Sequence, residues 1–89
     1  PLRVMEVSLE SMNVIEAMAE TGNRASVSDA GVGALCARTA VLGAGMNVRI
    51  NTKDLPDELA TSYLDRASAL ESEAIRREAE VLVRINQML

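Results

Sequence analysis

Apolar residues recur at spacings of three and four along most of the chain, which is the period of a helix with one buried face. A first segment of this kind runs from Leu2 to about Met18. Its stripe consists of Val4, Met5, Leu9, Met12, Ile15 and Met18, widened by Val14. The triplet Thr21-Gly22-Asn23 predicts the end of this helix, because Gly tolerates the left-handed conformation that closes a helix.

The segment from Ser26 to Asp29 is typical of a helix start, since a Ser oxygen accepts a free backbone N–H and a carboxylate suits the positive first turn. The body of this second helix is rich in small residues: Ala30, Gly31, Gly33, Ala34, Ala37, Ala40, Gly43, Ala44 and Gly45. Each helical Gly costs about 1 kcal/mol relative to Ala. We therefore expect tight helix packing against this segment, with a ligand against the backbone as the alternative.

Two residues within the second helix have several interpretations. Arg38 is a buried ion-pair partner, a ligand clamp or a surface residue, and the surface position is favoured. In a membrane span over residues 30–50, Arg38 would cost roughly 2.5 to 3.5 kcal/mol, which argues against such a span. Cys36 is expected to be a small packed hydrophobe, because no His or basic cluster beside it would activate its thiol.

A third helix is predicted from the segment Asp54–Asp57, which offers a capping Asp and an early Pro, to near Leu89. About 33 residues would make it about 50 Å long. Its apolar stripe is interrupted by Arg77 and consists of Leu59, Tyr63, Ala67, Leu70, Ala74, Val81, Ile85 and Met88. A solvated charged face is expected at Glu71, Glu73, Arg76, Glu78 and Glu80.

These patterns predict an all-α fold, a bundle of three main helices with a long last one, in a single domain over residues 1–89. Three helices of such unequal length cannot cover one another's apolar faces within a small globule. We therefore expect the core to be completed by oligomerisation or by a missing N-terminal half. The first residue is Pro1 rather than Met, which suggests a truncated or processed chain.

Composition narrows the chemistry. The chain of 89 residues has no His, which excludes His-dependent triads and relays within it, and one Cys, which excludes an intrachain disulfide and a multi-cysteine metal site. The net charge of -4 argues against nucleic acid or an anionic membrane as the main partner. The single Cys gives no sign of an oxidising compartment, so the expected location is cytoplasmic. No secretory or transit segment is visible.

One polar cluster lies at the predicted start of the second helix and comprises Asn23, Ser26, Ser28 and Asp29. A loop with a helix cap explains it. The alternative is a ligand site made of backbone N–H groups, hydroxyls and a carboxylate.

A second cluster alternates polar and apolar residues from Asn47 to Asn51. On a helix Asn47 and Asn51 would share a face, whereas in an extended segment Arg49 would join them. The residues leave both conformations open. Polar helix termination is one interpretation, and amide and guanidinium groups that bind a heterocycle edge or a carboxylate are the other.

Gly22-Asn23, the run from Ser26 to Leu35, Gly43-Ala44 and the run from Asn47 to Asn51 together resemble the formiminotransferase-cyclodeaminase family. The chain is similar to the C-terminal half of the family's all-helical cyclodeaminase domain. The resemblance implies cyclisation of 5-formimino-tetrahydrofolate to 5,10-methenyl-tetrahydrofolate with release of ammonia (a lyase), or hydrolysis of the methenyl compound (a hydrolase).

It further implies a homodimer, no metal, and no cofactor beyond the tetrahydrofolate substrate. Asp29, Asn47, Arg49 and Asn51 would face the substrate, with Ser26 and Ser28 placing the helix start. The helix that carries the family's proposed catalytic Asp precedes the matched stretch, so the catalytic residue is unassigned and we expect the chain alone to be inactive. A non-catalytic helical oligomerisation or interaction module is the alternative function.

Overall fold

The computed structural model describes residues 1–20 and 24–88, which form three α-helices: α1 (Leu2–Glu20), α2 (Arg24–Asn51) and α3 (Asp57–Met88). The described residues are 93% helical and contain no strand, which confirms the all-α prediction. The bundle measures 49 × 15 × 15 Å. Its length is that of α3, since 32 residues rising 1.5 Å each extend about 48 Å.

The start of α2 differs from the prediction. The helix begins at Arg24, so Ser26 and Ser28 lie inside it, and the expectation that they place the helix start is wrong. Val27 is fully buried in one core cluster with Ala19 of α1. This packing favours a helical conformation for the residues before and after Val27. The stop signal expected at Thr21-Gly22-Asn23 lies outside the described residues.

The end of α2 and the start of α3 follow the expected chemistry. The α2 helix continues to Asn51, and the buried Thr52 then satisfies two free carbonyls: its N–H donates to Val48 O at 3.0 Å and its hydroxyl to Arg49 O at 3.1 Å. The α3 helix begins directly after Pro56, with Asp57 and Glu58 in its positive first turn. The helix start predicted over Asp54–Asp57 is thus confirmed.

Two apolar clusters form the core, and all three helices contribute to both. One cluster consists of Met12, Ala19, Val27, Ala30, Ala34, Ala37, Val81 and Ile85. The other consists of Met5, Val41, Ala44, Val48, Ala67, Leu70 and Ala74. Most of the α2 members are Ala, so the helix backbones approach closely and the core is thin.

Three of the α2 glycines confirm the expectation of tight packing. A Cβ at Gly31 would lie 3.1 Å from Ile85 Cδ1, and one at Gly33 would lie 3.3 Å from Ile15. At Gly45 a Cβ would lie 2.7 Å from Glu71 Oε2. Gly43 is different, because nothing within 4 Å would meet its Cβ.

The buried side of α3 begins later than predicted. Ala67, Leu70, Ala74, Val81 and Ile85 are buried, but Leu59 and Tyr63 are 44% and 38% exposed, so including these two in the buried stripe was wrong. Residues 57–66 are all exposed except the half-buried Ala60, because this first part of α3 extends beyond the end of α2.

Other side chains also differ from expectation. Val4 and Val14, placed in the apolar stripe of α1, are 52% and 64% exposed. Glu78, predicted on the solvated face, is buried, because it continues the row of Ala74 and Val81 at spacings of four and three. Cys36, predicted as packed, is exposed, because it lies on the side of α2 opposite the core. No helix within residues 1–20 and 24–88 is both long and apolar enough to cross a membrane.

Candidate functional site

The polar cluster at the start of α2 lies on the surface of the bundle. Ser28 and Asp29 are exposed and Ser26 is half-buried. Asn23, which the sequence placed with them, lies outside the described residues. None of these three described side chains lines any of the surface pockets considered below.

At the other end of α2, the helix extends through Asn51, which decides the conformation that the sequence left open. Asn47 and Asn51 share one exposed side of the helix, as expected at a spacing of four. Arg49 points away from them, toward α3. The two clusters are far apart, since the 18 residues between Asp29 and Asn47 correspond to about 27 Å of helix. The chain therefore does not bring its two predicted clusters together.

Arg49 forms a bidentate ion pair with Glu71 of α3. Its Nη1 donates to Glu71 Oε2 at 3.0 Å and its Nη2 donates to Glu71 Oε1. The hydrogen bonds, reinforced by the carboxylate's charge, raise the pKa of Arg49 above its ordinary value. The Arg49 side chain remains 45% exposed, and a guanidinium has five N–H donors, so donors remain for a ligand.

A groove of about 330 Å³ lies beside the end of α2. Residues from all three helices and the α2–α3 connection line it: Pro1, Leu2, Arg3, Val48, Asn51, Thr52, Leu55 and Tyr63. Its volume lies at the lower end of the range for small-molecule sites. Asn51 is the one residue of the six predicted from sequence that lines this groove.

The groove combines an apolar surface with a few polar groups. Leu2, Val48 and Leu55 supply aliphatic walls, and Tyr63 is the single aromatic residue of the chain. Such a surface suits a flat, partly apolar ring system. Asn51 offers an amide with both donors and an acceptor.

Arg3 adds a guanidinium at the rim. Its side chain is 74% exposed and its contact with Glu10 is long, at 3.9 Å, so the guanidinium is available to an anionic group. Sequence reasoning missed Arg3, Thr52, Leu55 and Tyr63. The one sequence signal for this groove was Tyr63, the single aromatic residue of the chain, but the apolar stripe of α3 also explained its presence.

Two other surface pockets are less suited to a ligand of this kind. The pocket between α1 and α3 holds only about 80 Å³ and is lined partly by Glu16, Glu20, Glu80 and Arg84. A shallow depression on α3 around Val83 is formed by that helix alone. The groove beside Asn51 is therefore the candidate binding site.

Arg38 forms an ion pair with the buried Glu78, its Nη1 lying 3.2 Å from Glu78 Oε1. The Arg38 side chain is 40% exposed and that of Glu78 is 8% exposed. Of the three interpretations of Arg38, the ion pair is thus the one that the structure supports. The surface position favoured from sequence is wrong, because Arg38 lies at the boundary between α2 and α3.

On the opposite side of α3, Arg77 binds α1. Its Nε donates to Glu16 Oε1 at 2.8 Å and its Nη2 donates to Asn13 Oδ1 at 2.7 Å. The hydrogen bond from Arg77 lowers the pKa of Glu16 below its ordinary value, and the same contact raises the pKa of Arg77. The interruption of the apolar stripe at Arg77 is thus a link between helices.

Metal-binding groups do not gather in the part of the chain that the structure describes: His, Cys, Asp and Glu form no cluster of three there. The groove remains a candidate site, lined by apolar walls, one amide, one guanidinium and one phenol. The structure is thus an all-α helical domain with a partly apolar groove at one end.

Comparison with known proteins identifies the family. The sequence model for formiminotransferase-cyclodeaminase matches residues 1–69, a range that includes every lining residue of the groove and all six predicted site residues. The chain belongs to the formiminotransferase-cyclodeaminase family. The earlier resemblance is thereby confirmed.

Two relatives illustrate the relationship. The formimidoyltransferase-cyclodeaminase of Rattus norvegicus is 35% identical over 83 residues, which cover 92% of this chain and 15% of that protein. The methenyltetrahydrofolate cyclohydrolase of Methylorubrum extorquens is 37% identical over 75 residues, which cover 83% of this chain and 36% of that protein. The chain therefore spans only a minor part of these relatives. No solved structure gives a significant match.

Proposed function

We propose that this chain is the tetrahydrofolate-binding part of a one-carbon enzyme. The parent reaction is either cyclisation of 5-formimino-tetrahydrofolate to 5,10-methenyl-tetrahydrofolate with loss of ammonia, or hydrolysis of the methenyl compound. The observation that carries the proposal is the position of the groove within the matched residues, with Asn51 as one of its walls.

The groove's groups suit the parts of a folate. A pterin is a flat heterocycle with alternating donors and acceptors on its edge, so its ring can stack on Tyr63 while the Asn51 amide pairs with its edge. The glutamate tail of a folate is anionic, and the Arg3 guanidinium binds carboxylates well. Asn47, one turn before Asn51 on the same side of α2, lies where it can extend the polar rim.

The remaining predicted residues have different places in this proposal. Arg49 directly follows the lining residue Val48, but its side chain is directed toward Glu71 and keeps free donors beside that contact. Ser26, Ser28 and Asp29 lie about 33 to 38 Å from Asn51 along α2, so a ligand seated beside Asn51 in the same chain does not reach them.

We expect the 89-residue chain to bind the folate without turning it over. Ring closure requires the folate nitrogen to be aimed at the amidine carbon and a proton to be delivered to the departing ammonia. None of the groove's lining residues is a carboxylic acid or a His, and this proposal uses the Tyr63 phenol ring for stacking on the pterin, so we expect the proton donor to be a group elsewhere.

Isothermal titration calorimetry with 5-formyl-tetrahydrofolate tests this proposal. We expect saturable binding by the unmodified chain and about tenfold weaker binding by Asn51→Ala, the equivalent of one good hydrogen bond. Asn86→Ala is the matched control, because Asn86 is also an exposed helical Asn but lies near the end of α3, away from the groove. Circular dichroism establishes that each variant is folded.

Two outcomes would contradict the proposal. A folded chain that shows no saturable heat would favour the interaction module as its function. Equal weakening by Asn51→Ala and Asn86→Ala would remove the groove as the binding site.

A further inference from the structure

Thr52 directly follows Asn51 at the end of α2 and lines the same groove. Among the residues that the structure describes, Thr52 and Glu78 are the buried polar or charged ones. The ion pair with Arg38 accounts for Glu78. The hydroxyl of Thr52 is thus a buried polar group beside Asn51 that the proposed folate contacts do not use.

This hydroxyl takes the place of a helical hydrogen bond. In a continuing helix, the Arg49 carbonyl would accept from the N–H of Lys53, four residues later. The Lys53 N–H instead donates to Ile50 O at 3.5 Å, and the Thr52 hydroxyl donates to Arg49 O at 3.1 Å. The hydroxyl therefore closes the last turn of α2, which is the turn that contains Asn51.

The acceptor of this hydrogen bond is itself held to another helix. The Arg49 guanidinium donates to both carboxylate oxygens of Glu71 in α3. Glu71 in turn lies close against α2, since a Cβ at Gly45 would be 2.7 Å from its Oε2. The Thr52 hydroxyl thus joins the last turn of α2 to a residue that is fixed on the bundle.

The turn between α2 and α3 also depends on Thr52. The Leu55 N–H donates to Thr52 O at 3.1 Å, and Leu55 supplies an aliphatic wall of the groove. Asn51, by contrast, is exposed, so it has little packing of its own to hold it. Thr52 is the buried neighbour whose contacts can fix the place of Asn51.

We infer that Thr52 is a positioning residue, whose hydroxyl holds the last turn of α2 so that the Asn51 amide faces the ligand in the groove. This inference rests on the folate proposal. Helix ends fray, so without the hydroxyl α2 ends earlier in a larger fraction of molecules. The apparent affinity then falls with the fraction that keeps Asn51 in place.

Isothermal titration calorimetry with 5-formyl-tetrahydrofolate tests this role. Thr52→Val removes the hydroxyl but keeps the shape of the side chain, and we expect about fivefold weaker binding, the equivalent of one neutral hydrogen bond. Thr52→Ser keeps the hydroxyl and should bind like the unmodified chain. Thr39→Val is the matched control, because the Thr39 hydroxyl also donates to a carbonyl of α2, Leu35 O at 3.0 Å, but in the middle of the helix. It should leave the affinity unchanged.

A double variant shows whether Thr52 acts through Asn51. In an Asn51→Ala background, Thr52→Val should weaken binding no further, whereas a residue that touches the ligand by itself would weaken it about fivefold again. Amide hydrogen exchange gives a readout without ligand. The amides of residues 51 and 52 should exchange faster in Thr52→Val than in the unmodified chain, and at the unmodified rate in Thr39→Val.

The outcomes separate this inference from the folate proposal. If the chain binds the folate and Asn51→Ala weakens it, unchanged affinity or unchanged exchange in Thr52→Val would overturn the positioning role alone. Equal weakening by Thr52→Val and Thr52→Ser, or a full further loss in the Asn51→Ala background, would also overturn it. No saturable binding by the folded, unmodified chain would overturn the folate proposal and this inference with it.

Discussion

The α2 helix packs against its two neighbours by different means. Against α1 the described contacts are steric: Gly33 lies against Ile15, and small buried side chains fill the remaining space. Against α3 the contacts include the ion pairs Arg38–Glu78 and Arg49–Glu71 at the boundary of the core. The contact between α1 and α2 depends on small side chains that let the helices approach closely. The contact between α2 and α3 depends on charge as well as on shape.

This difference teaches where each contact is vulnerable. A close-packed boundary has no spare volume, so added atoms are costly while changes in pH or salt matter little. A boundary with ion pairs tolerates changes in volume at its edge but loses stability when one charge is left without its partner.

The largest expected effect comes from adding bulk between α1 and α2. Gly33→Leu would force Ile15 away, because a Cβ at Gly33 is already 3.3 Å from it. We expect a loss of about 3 kcal/mol in the free energy of unfolding, measured by urea denaturation. Gly43→Leu is the control, since that position has open space. Helix propensity favours Leu over Gly at both positions, so an equal loss in both variants would show that packing against Ile15 does not set the cost.

An intermediate effect is expected from removing one charge between α2 and α3. Arg38→Met would leave the Glu78 carboxylate buried without its partner, and we expect a loss of about 2 kcal/mol, reduced from the cost for fully buried pairs because Arg38 is half-exposed. The double variant Arg38→Met/Glu78→Leu should recover most of this loss. A double variant as unstable as the single one would contradict the role of charge at this boundary.

The smallest expected effect is the pH dependence of the contact between α1 and α3. Because Arg77 lowers the pKa of Glu16, this carboxylate stabilises the fold fully above its unfolded pKa, near 4.5, and the contribution is lost as the pH falls through the lower, folded pKa. In thermal melts from pH 6 to pH 3, the melting temperature of Glu16→Gln should therefore fall less steeply than that of the unmodified chain. Asp65→Asn, an exposed change on α3, is the control. If the melting temperature of Glu16→Gln falls as steeply with decreasing pH as that of the unmodified chain, Glu16 does not make this contribution.

Much of the fold could be predicted from the sequence because hydrophobic period and helix-end residues are local signals. The α3 start directly after Pro56 and the buried row from Ala67 to Ile85 were predicted on this basis. Glu78 was predicted to be solvated because it is charged. Its spacing from Ala74 and Val81, however, places it on the buried row. Leu59 was predicted to be buried because its spacing fits the apolar stripe of α3. That spacing contains no information on where the neighbouring α2 helix ends.

The site was harder to predict, because it depends on which helix ends meet. Asn51 was found as a polar group near a helix end, and it lines the groove. Arg3 and Tyr63 were missed, since their proximity to Asn51 follows from the antiparallel packing of α1 against α2 and from the length of α3 beyond α2. Asp29 was grouped with Asn51 through a family motif, although the helix separates them.

The central claim, that folate binds beside the end of α2, is tested most directly by amide chemical shifts in NMR spectra during titration with 5-formyl-tetrahydrofolate. We predict saturable shifts at Leu2, Asn51, Thr52 and Tyr63, and little change at Ser28. Saturable shifts confined to Ser28 and its neighbours, with none around Asn51, would contradict the account.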